Sequence, residues 1–265
     1  MTEQLSLWAD EAPKIKIDKP IRLVELFAGI GAQAKALENL GVQFEHYRIC
    51  EFDKYAVKSY NAVHGTNWET SDITQIHAAD LGVSETDKYC YIMTYSFPCT
   101  DLSLAGKQAG MQKGSGTRSG LLWEVERLLL EMDELPQILL MENVPQVHGT
   151  KNKADFDAWI SFLSSMGYKS FWKDLNAKNF GIPQNRNRCF MVSVQGDYTY
   201  EFPKEMPLTL KLKDMLEDVV DEKFYLPDET VEKLLVRCRR ERERERAATQ
   251  SEPEAEVALT DTHGI

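Results

Sequence analysis

The order of apolar runs in this chain predicts an α/β fold, a three-layer, doubly wound and mostly parallel sheet. Two observations predict it. Short β-branched apolar runs recur along the chain, and segments with helical periodicity separate them. A third, the entry of the first run directly into a glycine-rich turn, places ligands at the carboxyl ends of the strands.

The elements follow in order. Residues 1–20 read as a polar leader ending in Pro20. IRLVELF (21–27) suits a buried parallel strand, and QAKALENLG after it suits a helix stopped by Gly41. QFEHYRICE (43–51) predicts a second strand and DKYAVKSYNAVHG (53–65) a second helix. YCYIMTYS (89–96) and QILLMEN (137–143) predict strands separated by the helix GLLWEVERLLLEMDE (120–134). A helix over 153–166 precedes a final pair of strands, YKSFWKDLN (168–176) and CFMVSVQ (189–195). Residues 21–200 thus form the expected catalytic domain, 201–236 a separate lead-in, and 237–265 a charged tail. In that tail RCRRERERER (237–246) sets Glu241 and Arg244 three apart, which supports a helix, but Arg240 and Arg244 four apart, which opposes it. The expectation is disorder.

Composition narrows the class. The chain has 265 residues, 43% of them hydrophobic, enough for a globular core. The start MTEQLSLWADEAPK is polar and acidic where a signal peptide needs basic and apolar residues. No apolar stretch approaches the ~20 residues of a membrane helix. A soluble, cytoplasmic protein is expected. The cysteines Cys50, Cys90, Cys99, Cys189 and Cys238 contain no CxxC pair, and no HxxxH spacing occurs, so no metal is expected. Net charge is −11, which by itself argues against a nucleic-acid partner, although an acidic protein can hold a basic groove.

Phe27-Ala28-Gly29-Ile30-Gly31 lies where the first strand turns into the first helix. Glycines there admit close approach of a ligand. Glu51 ends the second strand 22 residues after Gly29, the offset at which an acidic group grips ribose hydroxyls. These features suit a nucleoside-type cofactor without separating a nicotinamide from S-adenosylmethionine.

Three strand ends carry reactive groups. In SFPCTDLS (96–103), Pro98 fixes the backbone and holds Cys99 beyond the sheet edge. The glycine-rich loop 100–119 reads as a lid. Glu142 follows the apolar run QILLM; buried there, a carboxyl would have a raised pKa and serve as an acid. QNRNR (184–188) places Arg186 and Arg188 on one face of the next strand, as donors to a base or phosphate.

These segments, in this order, resemble the DNA (cytosine-5)-methyltransferases of bacterial or phage type. LFAGIGA (26–32) is similar to the first motif of that family, with Ala32 where many members have glycine. FPC (97–99) resembles the nucleophile motif, with Thr100 in place of the usual glutamine. SDI (71–73), RSGLLWE (118–124), ENV (142–144) and QNRNR resemble four further motifs.

The resemblance implies a Rossmann-like S-adenosylmethionine-dependent methyltransferase fold. It implies cofactor contacts from Phe27, Ala28, Gly29, Gly31, Glu51, Phe52, Asp72, Ile73, Pro98 and Leu121. It implies catalysis by Cys99, Glu142, Arg186 and Arg188, with Ser103 and Gln184 on the DNA. Cys99 would add to carbon 6 of a flipped cytosine, Glu142 would meet ring nitrogen 3, and Arg188 with Arg186 would hold the carbonyl at position 2.

The family's recognition region and its last two motifs are not found after QNRNR. That departure leads to the expectation of a truncated or split form that methylates DNA poorly or not at all alone and is restored by a second polypeptide carrying the missing segments. The alternatives are a catalytically silent binding homologue of the same fold and an RNA cytosine methyltransferase.

Overall fold

The first strand, β1 (Ile21–Leu26), is central because its last four residues are buried. The computed structural model describes residues 13–102 and 109–250 and divides into two units, residues 1–211 and 212–265. In the first unit β1 leads to α1 (Ala32–Asn39), β2 (Phe44–Cys50), α2 (Lys54–His64) and the single turn α3 (Ala78–Leu81). β3 (Cys90–Tyr95), α4 (Leu122–Glu131), β4 (Ile138–Asn143), α5 (Lys153–Ser165), β5 (Tyr168–Asn176) and β6 (Asn187–Gln195) complete it.

The sheet order is β2-β1-β3-β4-β6-β5. The first four strands in that order are mutually parallel, while β6 runs antiparallel to both β4 and β5. Strand order reverses between β1 and β3, so a crevice opens outside their carboxyl ends. The antiparallel β6 brings its amino end to that same edge, with Asn143 opposite Cys189 and Glu142 opposite Phe190.

Alternation along β1 divides the core between two layers. Val24 and Leu26 join Leu122, Leu128, Phe156 and Trp159 of α4 and α5 on one face. Leu23 joins Ile92, Val194 and Ala34 of α1 on the other. With both faces covered, β3 reads as a continuous apolar run and is buried at every position, whereas the edge strands β2 and β5 keep exposed polar positions. Of the expected leader, the described end is tied in: Lys14 bridges to Thr199, and Ile15 packs on the second layer.

Over residues 237–250 the expected disorder gives way to a helix, and the rest of the expected tail, 251–265, lies outside the described residues. A helix, α6 (Asp228–Gln250), runs through the charged segment. Opposite charges spaced four apart offset the like-charge pairs: Lys233 Nζ lies 2.6 Å from Glu229 Oε1, and Arg237 Nε lies 2.9 Å from Glu241 Oε1. Among the described residues no helix is long and apolar enough to cross a membrane.

Candidate active site

The turn after β1 is built on left-handed backbone. Phe27, Gly29 and Gly31 have φ of 57°, 57° and 80°. For a bulky residue such as Phe27 that conformation is strained, and strain of this kind collects at ligand sites. The two glycines serve different ends. A Cβ on Gly31 would meet His64 Nε2 at 2.3 Å and Tyr60 Cε2 at 2.6 Å, so Gly31 lets α2 pack against the turn. A Cβ on Gly29 would meet nothing within 4 Å, so its backbone faces open space.

Glu51 sits at the end of β2 and ties two backbones together. Its Oε2 accepts from Gly29 N at 2.8 Å and its Oε1 from Asp53 N at 2.8 Å. Each oxygen keeps a lone pair for a hydroxyl. Phe52 beside it is 75% exposed, an aromatic face left uncovered next to the carboxylate. An open glycine cradle, a carboxylate and a bare aromatic ring fit the ribose and adenine of a nucleoside cofactor. Ala28 is buried, and its N–H donates to Cys50 O at 3.2 Å, which locks the turn to β2.

The SDI segment divides its residues. Asp72 Oδ1 closes a turn by accepting from Thr74 N at 2.9 Å and Thr74 Oγ1 at 2.8 Å. The Ile73 side chain is buried in the core, and its carbonyl accepts from Arg127 Nη2 at 2.8 Å. Ser71 N donates to Glu51 O at 2.9 Å, which ties this segment to the end of β2, whereas the Ile73 side chain turns inward.

Cys99 follows β3 on a loop held at several points. Ser119 Oγ donates to Pro98 O at 2.6 Å, and Asp101 Oδ2 accepts from Arg118 N at 2.8 Å. Leu121 ends a 3₁₀ turn (Ser119–Leu121) that leads into α4, so the start of α4 and the cysteine loop are one assembly. Asn143, buried at the end of β4, donates from Nδ2 to Phe97 O at 3.0 Å. Ser103 lies outside the described residues, as does part of the loop expected to act as a lid. The loop's base is closed, with Gly110 N donating to Asp101 O at 3.0 Å.

Among the described cysteines of the first unit, Cys99 alone escapes burial. Burial pushes the Cys50 thiol up to about 11 and the Cys189 thiol up to about 12, and raises Cys90 as well. Thiols held protonated in this way are poor nucleophiles.

Glu142, Arg186 and Arg188 meet. Arg188 Nε lies 3.1 Å and Arg186 Nη2 3.4 Å from Glu142 Oε1. The two guanidinium groups share one carboxylate oxygen, as alternation along the strand entry predicts. Glu142 is not the buried carboxyl pictured from sequence, because its side chain keeps 20% exposure and two cationic neighbours. Gln184 is exposed just before them and supports Arg186, whose N–H donates to Gln184 O at 3.0 Å.

Sequence reasoning missed three residues that hold this edge. Asn143 and Ser119 are buried polar groups tethering the cysteine loop. Glu25 is buried in β1, where its Oε2 accepts from Tyr60 Oη at 2.6 Å and its Oε1 from Ala34 N at 3.3 Å. The available signal was an acidic residue in the buried half of the strand, flanked by Val24 and Leu26.

The fold and the strand-end groups define a Rossmann-like α/β domain with a crevice outside the carboxyl ends of its strands and the partly exposed Cys99 beside it. Comparisons narrow the class. The model of the C-5 cytosine-specific DNA methylase family matches residues 21–260, and the chain belongs to that family. It is 33% identical over 259 residues to the type II methyltransferase M2.ScrFI of Lactococcus lactis subsp. cremoris, covering 80% of this chain and 71% of that one. It is 34% identical over 259 residues to the orphan methyltransferase M.SssI of Spiroplasma monobiae, covering 77% of this chain and 67% of that one. In fold it is similar to the Entamoeba histolytica methyltransferase EhMeth, with a TM-score of 0.64 at 17% identity over 80% of this chain and 64% of that one.

Proposed function

We propose that this chain methylates carbon 5 of cytosine in DNA, with S-adenosylmethionine as donor and Cys99 as covalent nucleophile. The observation that carries the reading is the shared contact of Glu142 with Arg188 and Arg186, at the edge to which Asn143 ties the Cys99 loop.

The residue types answer the chemistry. Carbon 5 of cytosine is a weak nucleophile. Addition of the Cys99 thiolate forms an Sγ–C6 bond and turns carbon 5 into an enamine carbon. Glu142 is placed to hydrogen-bond ring nitrogen 3 as charge develops there. Arg188 and Arg186 present preorganised donors to the carbonyl at position 2, at no cost of reorientation during the reaction. S-adenosylmethionine, when bound, supplies an electrophilic methyl group on a sulfonium. Removal of the carbon-5 proton then breaks the Sγ–C6 bond and returns the thiolate. The base must leave the duplex to meet these groups, at a cost of roughly a few kcal/mol.

The cofactor would be held by Gly29, Gly31, Glu51, Phe52 and Asp72. Phe27, Ala28 and Ile73 shape the pocket from behind, and Pro98 and Leu121 close it from the cysteine side.

The test is covalent trapping. The chain, with S-adenosylmethionine, is incubated with duplex DNA containing 5-fluorocytosine, which cannot release the thiol. A complex surviving denaturing electrophoresis is expected, and Cys99→Ser should not form it. Trapping that persists in Cys99→Ser would remove Cys99 from the mechanism. Transfer RNA carrying the same base, run in parallel, distinguishes the RNA reading.

A further inference from the structure

We infer that Glu38, His46 and His64 form a binding site for a divalent transition metal of the zinc class, bracing the cofactor turn from behind. The three come from α1, β2 and α2, so no sequence spacing announces them. Their candidate ligand atoms all lie within 4.8 Å of one another.

Proton accounting carries the argument. Tyr60 has one hydroxyl proton, which it donates to Glu25 Oε2 at 2.6 Å. Its oxygen must then accept at 2.9 Å from His46 Nδ1, so the His46 proton sits on Nδ1. That leaves the His46 Nε2 lone pair facing Glu38 Oε1 at 3.6 Å.

His64 repeats the pattern. Its Nε2 lies 3.3 Å from the carbonyl of Ile30, which can only accept, so Nε2 carries a proton. Its Nδ1 lies 2.8 Å from the same Glu38 Oε1. A ring with one proton would aim this lone pair, too, at a carboxylate.

Two imidazole lone pairs and an anionic oxygen thus converge, and a cation is the group that satisfies all three. Each ring has its other nitrogen on an acceptor, the outer-shell arrangement that orients metal-bound histidines. Lys35 takes Glu38 Oε2 at 2.8 Å and leaves Oε1 for the metal. Tetrahedral zinc with bonds of ~2.0–2.1 Å sets its ligands about 3.4 Å apart, a spacing bracketed by the two Glu38–histidine distances. The competing account is a doubly protonated His64 paired with Glu38, with no metal.

Cobalt separates the two. The full chain, stripped with a chelator, is titrated with Co²⁺ and then Zn²⁺. One equivalent of Co²⁺ should give the visible bands of a tetrahedral nitrogen–oxygen site, without a near-ultraviolet thiolate band, and Zn²⁺ should displace it. Glu38→Gln and His46→Gln should each weaken binding by at least about tenfold. Far-ultraviolet circular dichroism checks that each variant folds; Glu38→Gln keeps the shape of a partly exposed side chain. A thiolate band would place the ion on a cysteine, such as the His148, Asp174, Cys189 cluster, and overturn the assignment. So would no uptake of either metal, or affinity unchanged in both folded variants.

Discussion

Arg188 Nε stands 3.1 Å from Glu142 Oε1, across the antiparallel junction of β4 and β6. The pair is partly exposed, so its contribution to stability is small, about 1 kcal/mol or less. On the proposed reading, its value lies in presenting two donors and an acceptor to the base. Arg188→Ala leaves Arg186 as the remaining cation on Glu142. Methyl transfer should fall about 10²- to 10³-fold while the melting temperature barely moves. Steady-state kinetics beside a thermal melt checks this; an unchanged kcat would show that the carboxylate and guanidinium are structural.

The two glycines of the cofactor turn should separate stability from binding. Alanine at either position meets left-handed backbone, at a cost of about 1–2 kcal/mol. Gly31→Ala also drives a methyl into His64 and Tyr60, adding about 1–3 kcal/mol. Gly29→Ala has open space, so its main effect should be weaker cofactor binding. Urea unfolding and calorimetric titration with S-adenosylhomocysteine should show Gly31→Ala as the less stable variant. Gly29→Ala should be the one whose loss of affinity exceeds its loss of stability.

Asn143 links two strands' ends at the reactive edge. Asn143→Ala removes the donor to Phe97 O and the acceptor for Val144 N, at 3.0 and 2.8 Å. Leaving those buried groups unpaired should cost about 1–3 kcal/mol. With the Cys99 loop loosened, trapping on 5-fluorocytosine DNA should slow. A trapping rate equal to that of the unaltered chain would show that the tether does not position Cys99.

Glu25 should leave a signature in the pH dependence of stability. Burial raises its pKa above 4.5, against the lowering effect of the Tyr60 and Ala34 hydrogen bonds. The folded state therefore keeps this proton longer than the unfolded chain. The resulting stability is complete below 4.5 and lost as pH climbs through the folded value. His46, pressed below 6.5, acts in the opposite sense, since its contribution is present above 6.5 and lost as pH falls. Comparison with Glu25→Gln cancels the His46 share. Unfolding free energies at about pH 5 and about pH 8 should show the advantage of glutamate over glutamine shrinking with rising pH. An advantage that grows would mean the carboxylate is the favoured buried form.

The inner strands were legible because they are short apolar runs covered on both faces, β3 at every position; the edge strands β2 and β5, with exposed polar positions, were legible from their length and their β-branched and aromatic residues. β5 is foreseen over 168–176 and found at Tyr168–Asn176. Glu142 and the arginines were legible because strand alternation is a local rule. What stayed hidden depends on tertiary neighbours. Glu25 looks like an irregularity until Tyr60 and Ala34 fold over it. Glu38, His46 and His64 share no motif, and HxxxH spacing finds only ligands on one helix. Ile73 stands beside Asp72 in the segment whose resemblance implies cofactor contact, yet its side chain lies in the core. The charged tail misled because like-charge pairs were weighed more heavily than the opposite pairs of α6.

The strand order β4-β6-β5 has a consequence for how the chain acquires its chemistry. β5 is made before β6, yet β6 is its sheet neighbour, so β5 must wait for a later strand to slide in beside it. The arrival of that strand also delivers Arg186 and Arg188 to Glu142. During synthesis Cys99 emerges long before Arg186 and Arg188. On the proposed reading, the groups that would act on the base come together only once β6 is in place, so a half-folded chain would not yet hold the site.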